Sequence, residues 1–270
     1  MKGKARPIIV TRPDGPGHVL TDALRAAGAD AVWWPAFELG PASDVPHARA
    51  TMHALDAFDL AVFVSPAAVE HAMRYRTALW PASTTIAVVG EATRRAVEST
   101  VAGASAAPLV APFASHEDEE SVGGSEALWN ALTESGCTPR NALILRADHG
   151  REWLGEQLRE TGAKVTVLPV YTRRAAELDA GAIERLRSWM AASLEPALVV
   201  SSSEAIAVLH AQYAAAAGAW TWLQHGRALA LHERTAQHLR AAGFTRTEVV
   251  APRALAIVHM LGDNKLTPTP

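Results

Sequence analysis

The chain has 270 residues, of which 49% are hydrophobic and 20% are charged, and its formal net charge is −3. This composition is typical of a folded globular protein and not of a disordered one, and the length favours two domains. The weak negative charge provides no basic field for nucleic acid or for a membrane surface. No apolar run approaches the ~18 residues of a membrane span or fits a signal peptide. With one cysteine, Cys137, no intrachain disulfide is possible, and we expect a cytoplasmic protein.

The first predicted unit consists of a strand, a helix and a strand. The β-branched residues at 7–11 predict a buried parallel strand, and the proline- and glycine-rich segment 12–17 predicts a loop after it. Apolar residues at helical spacing then predict a helix that ends at Gly28. Residues 31–34 predict a second strand, which Pro35 closes, and the whole has the size of a βαβ unit.

The following segments continue the alternation of strand and helix. Residues 60–65 predict a strand that leads into a helix, and residues 86–89 predict another, with a helix opening at 91–93. The mostly acidic run 116–120, followed by two glycines at 123–124, indicates a solvated surface loop.

A second strand–helix–strand unit then repeats the first. Residues 141–145 predict a strand, residues 146–151 a polar loop, and residues 165–168 a strand closed by a proline. Its landmarks match those of the first unit at one constant offset, with Arg146 for Arg12, Gly162 for Gly28 and Pro169 for Pro35.

The last segments repeat the middle ones, because 197–201 and 228–231 match 60–65 and 86–89 and are followed by helix starts in the same way. The chain is therefore predicted to be an internal duplication of the form A-B-A′-B′, which indicates duplicated domains and not a solenoid. Parallel strands that alternate with helices predict an α/β fold, with an open, doubly wound sheet in each of two similar lobes.

Polar residues gather at the carboxyl ends of these predicted strands, where open parallel sheets bind their ligands. Several of them lie at helix N-termini, whose free N–H groups attract anions. They are Arg12, Ser65, Glu91, Thr93, Arg146, Arg151, Ser201, Ser202, Arg234 and Thr235. Ser65, Ser201 and Thr235 could each be simple helix caps, and it is their grouping that favours binding. We expect the function to lie in a cleft between the lobes.

Two questions stay open at this point. Residues 37–41 and 171–174 occupy equivalent places in the repeat and are candidates for crossings between the lobes, but a tandem split near residue 128 fits as well. The chain also lacks a GxGxxG after its first strand, a Walker A motif, a receiver-type acidic pair and an HExxH spacing. The residues alone therefore point to no nucleophile, metal or cofactor.

Taken together, the motifs resemble the uroporphyrinogen-III synthase family from about Ile8 to Leu261. The motifs that carry the resemblance are 10–13, 63–69, 88–93, 145–146 with 150–152, 170–171, 200–202 and 233–236. The family has two doubly wound, flavodoxin-like lobes joined by two crossing strands. The resemblance thus implies one lobe made of 1–37 and 173–262, a second made of 38–172, and a tail at 263–270.

The resemblance also implies a reaction on a small molecule, without metal or cofactor. The linear tetrapyrrole hydroxymethylbilane, which carries eight carboxylates, loses water and closes to uroporphyrinogen III with its last pyrrole inverted through a spiro intermediate. Tyr171 matches a tyrosine that the family places in its cleft, and we expect it to donate a proton or a hydrogen bond, although it could instead be a packed hinge residue. The substrate-binding residues implied are Arg12, Ser65, Thr93, Arg146, Gly150, Arg151, Ser201, Ser202, Arg234 and Thr235. We expect a monomer that binds neither nucleic acid nor membrane.

The sequence departs from the family pattern at two places. Ala67 stands where some relatives carry a larger basic residue, and 232–234 replaces a smaller glycine-containing turn, so that Arg234 could contact a carboxylate or face solvent. Which serine of 201–203 lines the site stays open. The competing hypothesis is a two-lobed protein that binds an anionic ligand, or serves in regulation, without turnover.

Overall fold

The computed structural model describes residues 6–112 and 124–261, so the predicted acidic loop at 116–120 and the tail at 263–270 lie outside the described residues. The strands are β1 (Pro7–Val10), β2 (Asp30–Trp33), β3 (Phe37–Pro41), β4 (Leu60–Phe63), β5 (Thr85–Val88), β6 (Leu109–Val110), β7 (Asn141–Ala147), β8 (Lys164–Ala175), β9 (Ala197–Val200), β10 (Arg227–Ala230) and β11 (Thr247–Val249). The helices are α1 (Asp14–Ala26), α2 (Val45–His53), α3 (Pro66–Met73), α4 (Glu91–Thr100), α5 (Ser125–Glu134), α6 (Trp153–Glu160), α7 (Ala180–Ala191), α8 (Glu204–Tyr213), α9 (Ala219–His225), α10 (Glu233–Ala241) and α11 (Ala254–Met260).

The described chain forms two compact units. Unit 1 contains residues 6–39 and 174–261, and unit 2 contains residues 40–112 and 124–173. The chain thus passes from unit 1 to unit 2 within β3 and returns within β8. Among the described residues, no helix is both long enough and apolar enough to cross a membrane.

Unit 1 is built around a sheet in the order β11-β10-β9-β1-β2, in which the neighbouring strands run parallel. Successive side chains of a strand point to opposite faces, and both faces are apolar here. Ile8 and Val10 of β1 pack with α1 and α11 on one face, whereas Ile9 packs with α7, α8 and α10 on the other. Helices therefore cover both faces, and the predicted doubly wound α/β fold is confirmed.

Unit 2 has a sheet in the order β3-β8-β7-β4-β5-β6, with parallel pairing from β8 through β6. On one face, Val62 and Ile144 pack with Leu128 of α5 and Leu158 of α6. Helices α3 and α4 pack against each other, and α3 contacts β4 and β7. Helices α5 and α6 thus cover apolar residues of β4 and β7 on the face of Val62 and Ile144.

The five strands of unit 1 and five of the six strands of unit 2 follow the same order when each strand is matched to its counterpart in the sequence repeat. The order β2-β1-β9-β10-β11 of unit 1 corresponds to β8-β7-β4-β5-β6 of unit 2. Unit 1 therefore joins the first strand–helix–strand unit to the segments that begin at 197, and unit 2 joins the segments that begin at 60 to the second strand–helix–strand unit. The glycines that follow α1 and α6 occupy equivalent left-handed positions, with φ of 83° at Gly28 and 92° at Gly162. Glycine adopts this conformation without steric cost, so both helices end in the same way.

Two of the predicted strand ends are wrong. Strand β7 continues past 145 to Ala147, so that Arg146 lies in the strand and not in the loop, and β8 does not end at Pro169 but continues to Ala175. The register of β7 and β8 shifts at this point: Arg146 lies opposite Pro169, and Ala147 lies opposite Tyr171. Such an irregularity accommodates a residue that has no N–H to donate to its neighbour. The continuation carries Tyr171 and Arg173 inside the strand and not in a loop after it.

Candidate active site

Each sheet has a topological switch point, which is where open parallel sheets bind their ligands. It lies between β1 and β9 in unit 1 and between β7 and β4 in unit 2, because the connections leave these pairs in opposite directions. Most of the predicted site residues follow these four strands.

Ser65, in unit 2, is held at the start of α3. Its backbone is extended, with φ of −167° and ψ of 160°, and its Oγ accepts a hydrogen bond of 3.1 Å from the N–H of Ala68. Ser65 is thus a helix N-cap, with Pro66 at the first helical position, where its missing N–H costs nothing. The cap fixes the hydroxyl directly after β4.

Tyr171 lies beside Ser65, although it follows Ser65 by more than a hundred residues. Its Oη is 3.3 Å from Ser65 Oγ, and its ring centroid is 5.1 Å from that of His71. Only 6% of Tyr171 is exposed, so the ring is packed and its hydroxyl is held at the strand ends.

The backbone of Tyr171 is fixed by the loop after β7. The N–H of Asp148 donates to the carbonyl of Tyr171 over 3.0 Å, and Asp148 Oδ1 accepts from the N–H of Arg173 over 3.2 Å. One aspartate therefore holds β8 on both sides of Thr172. Sequence reasoning placed Asp148 only within a polar loop, because nothing local shows that its carboxylate turns towards β8.

The two candidate arginines of unit 2 are already engaged in ion pairs. Arg146 is paired with Glu152 and also donates to the carbonyl of Arg151 over 3.1 Å. Arg151 makes a two-pronged contact with Glu126 of α5, at 2.7 and 3.2 Å. Gly150 lies beside the Arg146 guanidinium, whose Nη1 is 3.6 Å from where a Cβ at that position would be, an ordinary van der Waals distance. A bound carboxylate would have to compete with Glu126 or Glu152.

Glu91 and Thr93 lie in the first turn of α4, which begins at Glu91, three residues after the last residue of β5. Hydrogen bonds from Arg94 lower the pKa of the Glu91 carboxyl; burial opposes this, and Arg95 adds to the lowering. Glu91 is therefore ionised near neutrality and paired with two arginines of its own helix, which makes it a poor proton donor. Thr93 is buried beneath the same turn.

In unit 1, the loop between β1 and α1 is held rigidly. Thr11 is buried, and its Oγ1 donates to the carbonyl of Val199 over 2.7 Å. The indole N–H of Trp33 donates to the carbonyl of Arg12 over 2.8 Å. A Cβ at Gly17 would collide with that carbonyl and with the indole, so only glycine allows this approach. The half-buried Arg12 is thus placed at the switch point by its backbone.

The serines that follow β9 differ from Ser65. Helix α8 begins at Glu204 with Ser203 at the cap position, and no side chain caps it. The interpretation of Ser201 as a helix cap is therefore wrong, since Ser201 lies three residues before the helix. Ser201, Ser202 and Ser203 are all half-buried.

The departure at 232–234 produces an unusual cap. His232 is the N-cap of α10, and its Nδ1 accepts from the N–H of Arg234 over 3.2 Å. Thr235 is buried in the first turn of α10 and is not its cap, so that alternative is also wrong. It occupies the same helical position as Thr93 of α4. Arg234 is exposed, and no ion pair of its guanidinium is found within 6–112 and 124–261.

A metal centre and a nucleophilic thiol are two other kinds of reactive site that a protein can contain. No three His, Cys, Asp or Glu side chains among the described residues are grouped as metal ligands would be. Burial, and after it the nearby Asp59, raise the pKa of the Cys137 thiol, which keeps it protonated and unreactive.

Comparison with known proteins gives consistent results. A family model described as "Uroporphyrinogen-III synthase HemD" matches residues 18–256. The uroporphyrinogen-III synthase of Escherichia coli (strain K12) is 32% identical over 248 residues, which cover 90% of this chain and 94% of that protein. The Salmonella typhimurium protein of the same name is 31% identical with the same coverage.

Solved structures of similar proteins share the fold. A mutant uroporphyrinogen III synthase from the extremely thermophilic bacterium Thermus thermophilus has a TM-score of 0.61 at 17% identity and covers 96% of this chain and 98% of its own. The corresponding protein from Helicobacter pylori 26695 has a TM-score of 0.53 at 14% identity, with coverage of 96% and 99%. At such low identity these likenesses establish the fold alone.

Proposed function

The chain belongs to the uroporphyrinogen-III synthase family, and we propose that it closes hydroxymethylbilane to uroporphyrinogen III with loss of water and inversion of the last pyrrole. This is the reaction of a cyclising lyase in haem biosynthesis. The observation that carries the proposal is the 32% identity to the Escherichia coli synthase over 90% of the chain. The geometry around Tyr171 supports it and suggests how the chemistry is performed.

Tyr171 would act where the terminal hydroxyl leaves. Ser65 Oγ already accepts the N–H of Ala68, and its single proton can be given to Tyr171 Oη, 3.3 Å away. The phenol proton is then directed to the substrate, at the end of a chain of hydrogen bonds that starts at a helix N-terminus. Each bond of such a chain polarises the next, which strengthens the final donor.

The bond that breaks is the carbon–oxygen bond of the hydroxymethyl group. A hydrogen bond from Tyr171 stabilises the departing oxygen, the pyrrole nitrogen supplies the electron pair, and an azafulvene remains. The substituted carbon of the last ring then attacks it, and the spiro intermediate fragments and recloses inverted. The last pyrrole loses a proton when the ring closes, and this proton combines with the departed hydroxide, so that water is the net product. Because free bilane closes to the type I isomer unaided, folding of the substrate is the larger part of the catalysis.

The remaining predicted residues are proposed as contacts for the carboxylates of the substrate. Arginine forks and free backbone N–H groups at strand ends suit carboxylates. Of the proposed arginine contacts, Arg12 and Arg151 follow β1 and β7 at the switch points, and Arg146 lies near the carboxyl end of β7. Further proposed contacts are Thr93, Gly150, Ser201, Ser202, Arg234 and Thr235, whereas Ser65, whose proton is given to Tyr171, would act on the substrate through that residue. We also propose that the enzyme is a cytoplasmic monomer without nucleic-acid or membrane partners, in keeping with its net charge of −3.

The test is to supply the purified protein with fresh hydroxymethylbilane and to separate the type I and type III products by chromatography. Predominant type III at a rate above that in buffer is expected. Type I alone, at the rate seen in buffer, would overturn the proposal and leave a protein that binds an anionic ligand without turnover.

The Arg151–Glu126 ion pair allows a second test of the proposed contacts. If Arg151 binds a substrate carboxylate, Glu126→Gln releases it and lowers KM by about two- to fivefold, the worth of an exposed ion pair. Arg151→Gln should raise KM by a similar or larger factor, and kcat should change little in either variant. Equal KM values in both variants and in the wild type would remove Arg151 from the site. Arg185→Gln, which breaks an ion pair with Asp30 in unit 1, serves as the control.

A further inference from the structure

We infer that His71, a residue with no assigned role, is a positioning residue that holds the ring of Tyr171 so that its hydroxyl points at the reacting end of the substrate. This inference rests on the proposed function. It concerns a contact that no local pattern predicts, because the two residues are a hundred positions apart in the chain.

Asp148, Ser65 and His71 contact different parts of Tyr171, and only His71 contacts the face of its ring among these three. Asp148 fixes the backbone of Tyr171 through its N–H, and Ser65 meets the hydroxyl. Neither contact by itself fixes the torsion about the Cα–Cβ bond, which would carry the hydroxyl sideways away from Ser65, because the hydroxyl contact is long, at 3.3 Å. The imidazole of His71 lies against the ring, with 5.1 Å between centroids and 32° between planes. This aromatic neighbour restricts the torsion.

The placement of His71 within α3 agrees with such a task. The other buried residues of this helix are Ala68, Val69 and Ala72, which are small and aliphatic. His71 is only 2% exposed, so its polar ring is enclosed at a place where an aliphatic side chain would pack without a desolvation cost. Helix α3 thus carries two groups that meet the side chain of Tyr171: Ser65 at its cap and His71 near its end.

A small shift of the phenol would matter because the Ser65–Tyr171 contact is long for two hydroxyls, at 3.3 Å. Removing the imidazole lets the whole ring swing into the vacated space, which lengthens the contact between Tyr171 Oη and Ser65 Oγ and weakens the chain of hydrogen bonds. The consequence is a lower kcat at an unchanged KM, since the carboxylate contacts stay in place.

A double-mutant cycle between His71 and Tyr171 tests this inference. His71→Ala is expected to lower kcat for type III formation about 5- to 20-fold, but less than about twofold in a Tyr171→Phe background. His71→Phe keeps an aromatic ring in place and is expected to restore the rate to within about twofold of the wild type. Leu128→Ala is the matched control, because Leu128 is equally buried in unit 2 but packs in a cluster that contains neither His71 nor Tyr171.

The outcomes are distinct. Equal losses for His71→Ala in both backgrounds, or a loss matched by Leu128→Ala at a similar drop in thermal midpoint, would overturn the inference and make His71 a residue of the core. Failure of His71→Phe to restore the rate would overturn it as well. If instead the proposed function is wrong, the wild-type protein itself forms only the type I isomer, which distinguishes that failure from failure of the inference about His71.

Discussion

Replacing Tyr171 with phenylalanine is expected to lower kcat for type III formation by about 10- to 100-fold and to change KM by less than about twofold. The variant loses one hydroxyl, and a hydrogen bond to a group that gains charge is worth about 1.5–3 kcal/mol. Each 1.36 kcal/mol of lost transition-state stabilisation is a factor of about ten in rate. The type I share of the product should rise, because spontaneous closure then competes with the enzyme.

The result distinguishes the two roles considered for Tyr171. Its hydroxyl meets Ser65, and its ring is packed, so phenylalanine preserves the packing and removes only the donor. Tyr75→Phe is the control, because Tyr75 is also buried in unit 2 and its hydroxyl accepts from the N–H of Ala42. An unchanged kcat in Tyr171→Phe would assign Tyr171 to the packing of β8. An equal loss in Tyr75→Phe would point to a general effect on unit 2.

The largest effect on stability is expected from Phe63→Ala, at about 3–5 kcal/mol of unfolding free energy. Phe63 is the last residue of β4, is fully buried, and has its ring centroid 5.6 Å from that of Trp80. Alanine leaves a cavity beneath the strand end that carries Ser65. Urea unfolding followed by tryptophan fluorescence measures the change in the free energy of unfolding, because the buried Trp80 becomes exposed to solvent when the protein unfolds.

A conservative substitution controls this prediction. Phe63→Leu keeps most of the volume and should cost about 1.5 kcal/mol or less. At low temperature, where Phe63→Ala is still folded, kcat should remain within a few-fold of the wild type, because Phe63 is fully buried and is not itself a proposed substrate contact. A loss below about 1 kcal/mol in Phe63→Ala would show that the neighbouring side chains close the cavity.

Much of the fold follows from local patterns in the sequence. Runs such as 60–63 and 197–200 are short, apolar and followed by polar helix starts, so parallel strands and doubly wound sheets could be predicted from them. The capping alternative for Ser65 was likewise predictable, because a serine before proline and a helical run is a typical N-terminus. The alternative for Ser201 failed because α8 begins only at Glu204, and the alternative for Thr235 failed because His232 is the cap and leaves Thr235 within the first turn of α10.

The features that escaped prediction depend on distant contacts. Whether a proline ends a strand depends on its neighbours, and the register shift opposite Pro169 belongs to β7 as much as to β8. The ion pair between Arg151 and Glu126 requires α5 to lie beside the loop after β7. The contact of the His71 ring with the Tyr171 ring joins a helix to a strand that lies a hundred residues later in the chain. None of these has a signal within a window of local sequence.

The exchange of segments between the units has a consequence for how the protein is made. In the finished sheet of unit 1, Ile8 of β1 lies opposite Ala197 of β9, which is 189 residues further on (197 − 8). At about 5–20 residues per second, a ribosome needs about 10–40 s to supply this neighbour. Unit 2 is contiguous in the chain and can be completed first, while the apolar edge of β1 still lacks its neighbour. We therefore expect the nascent N-terminal segment to be the part of the molecule that most depends on protection from aggregation during translation.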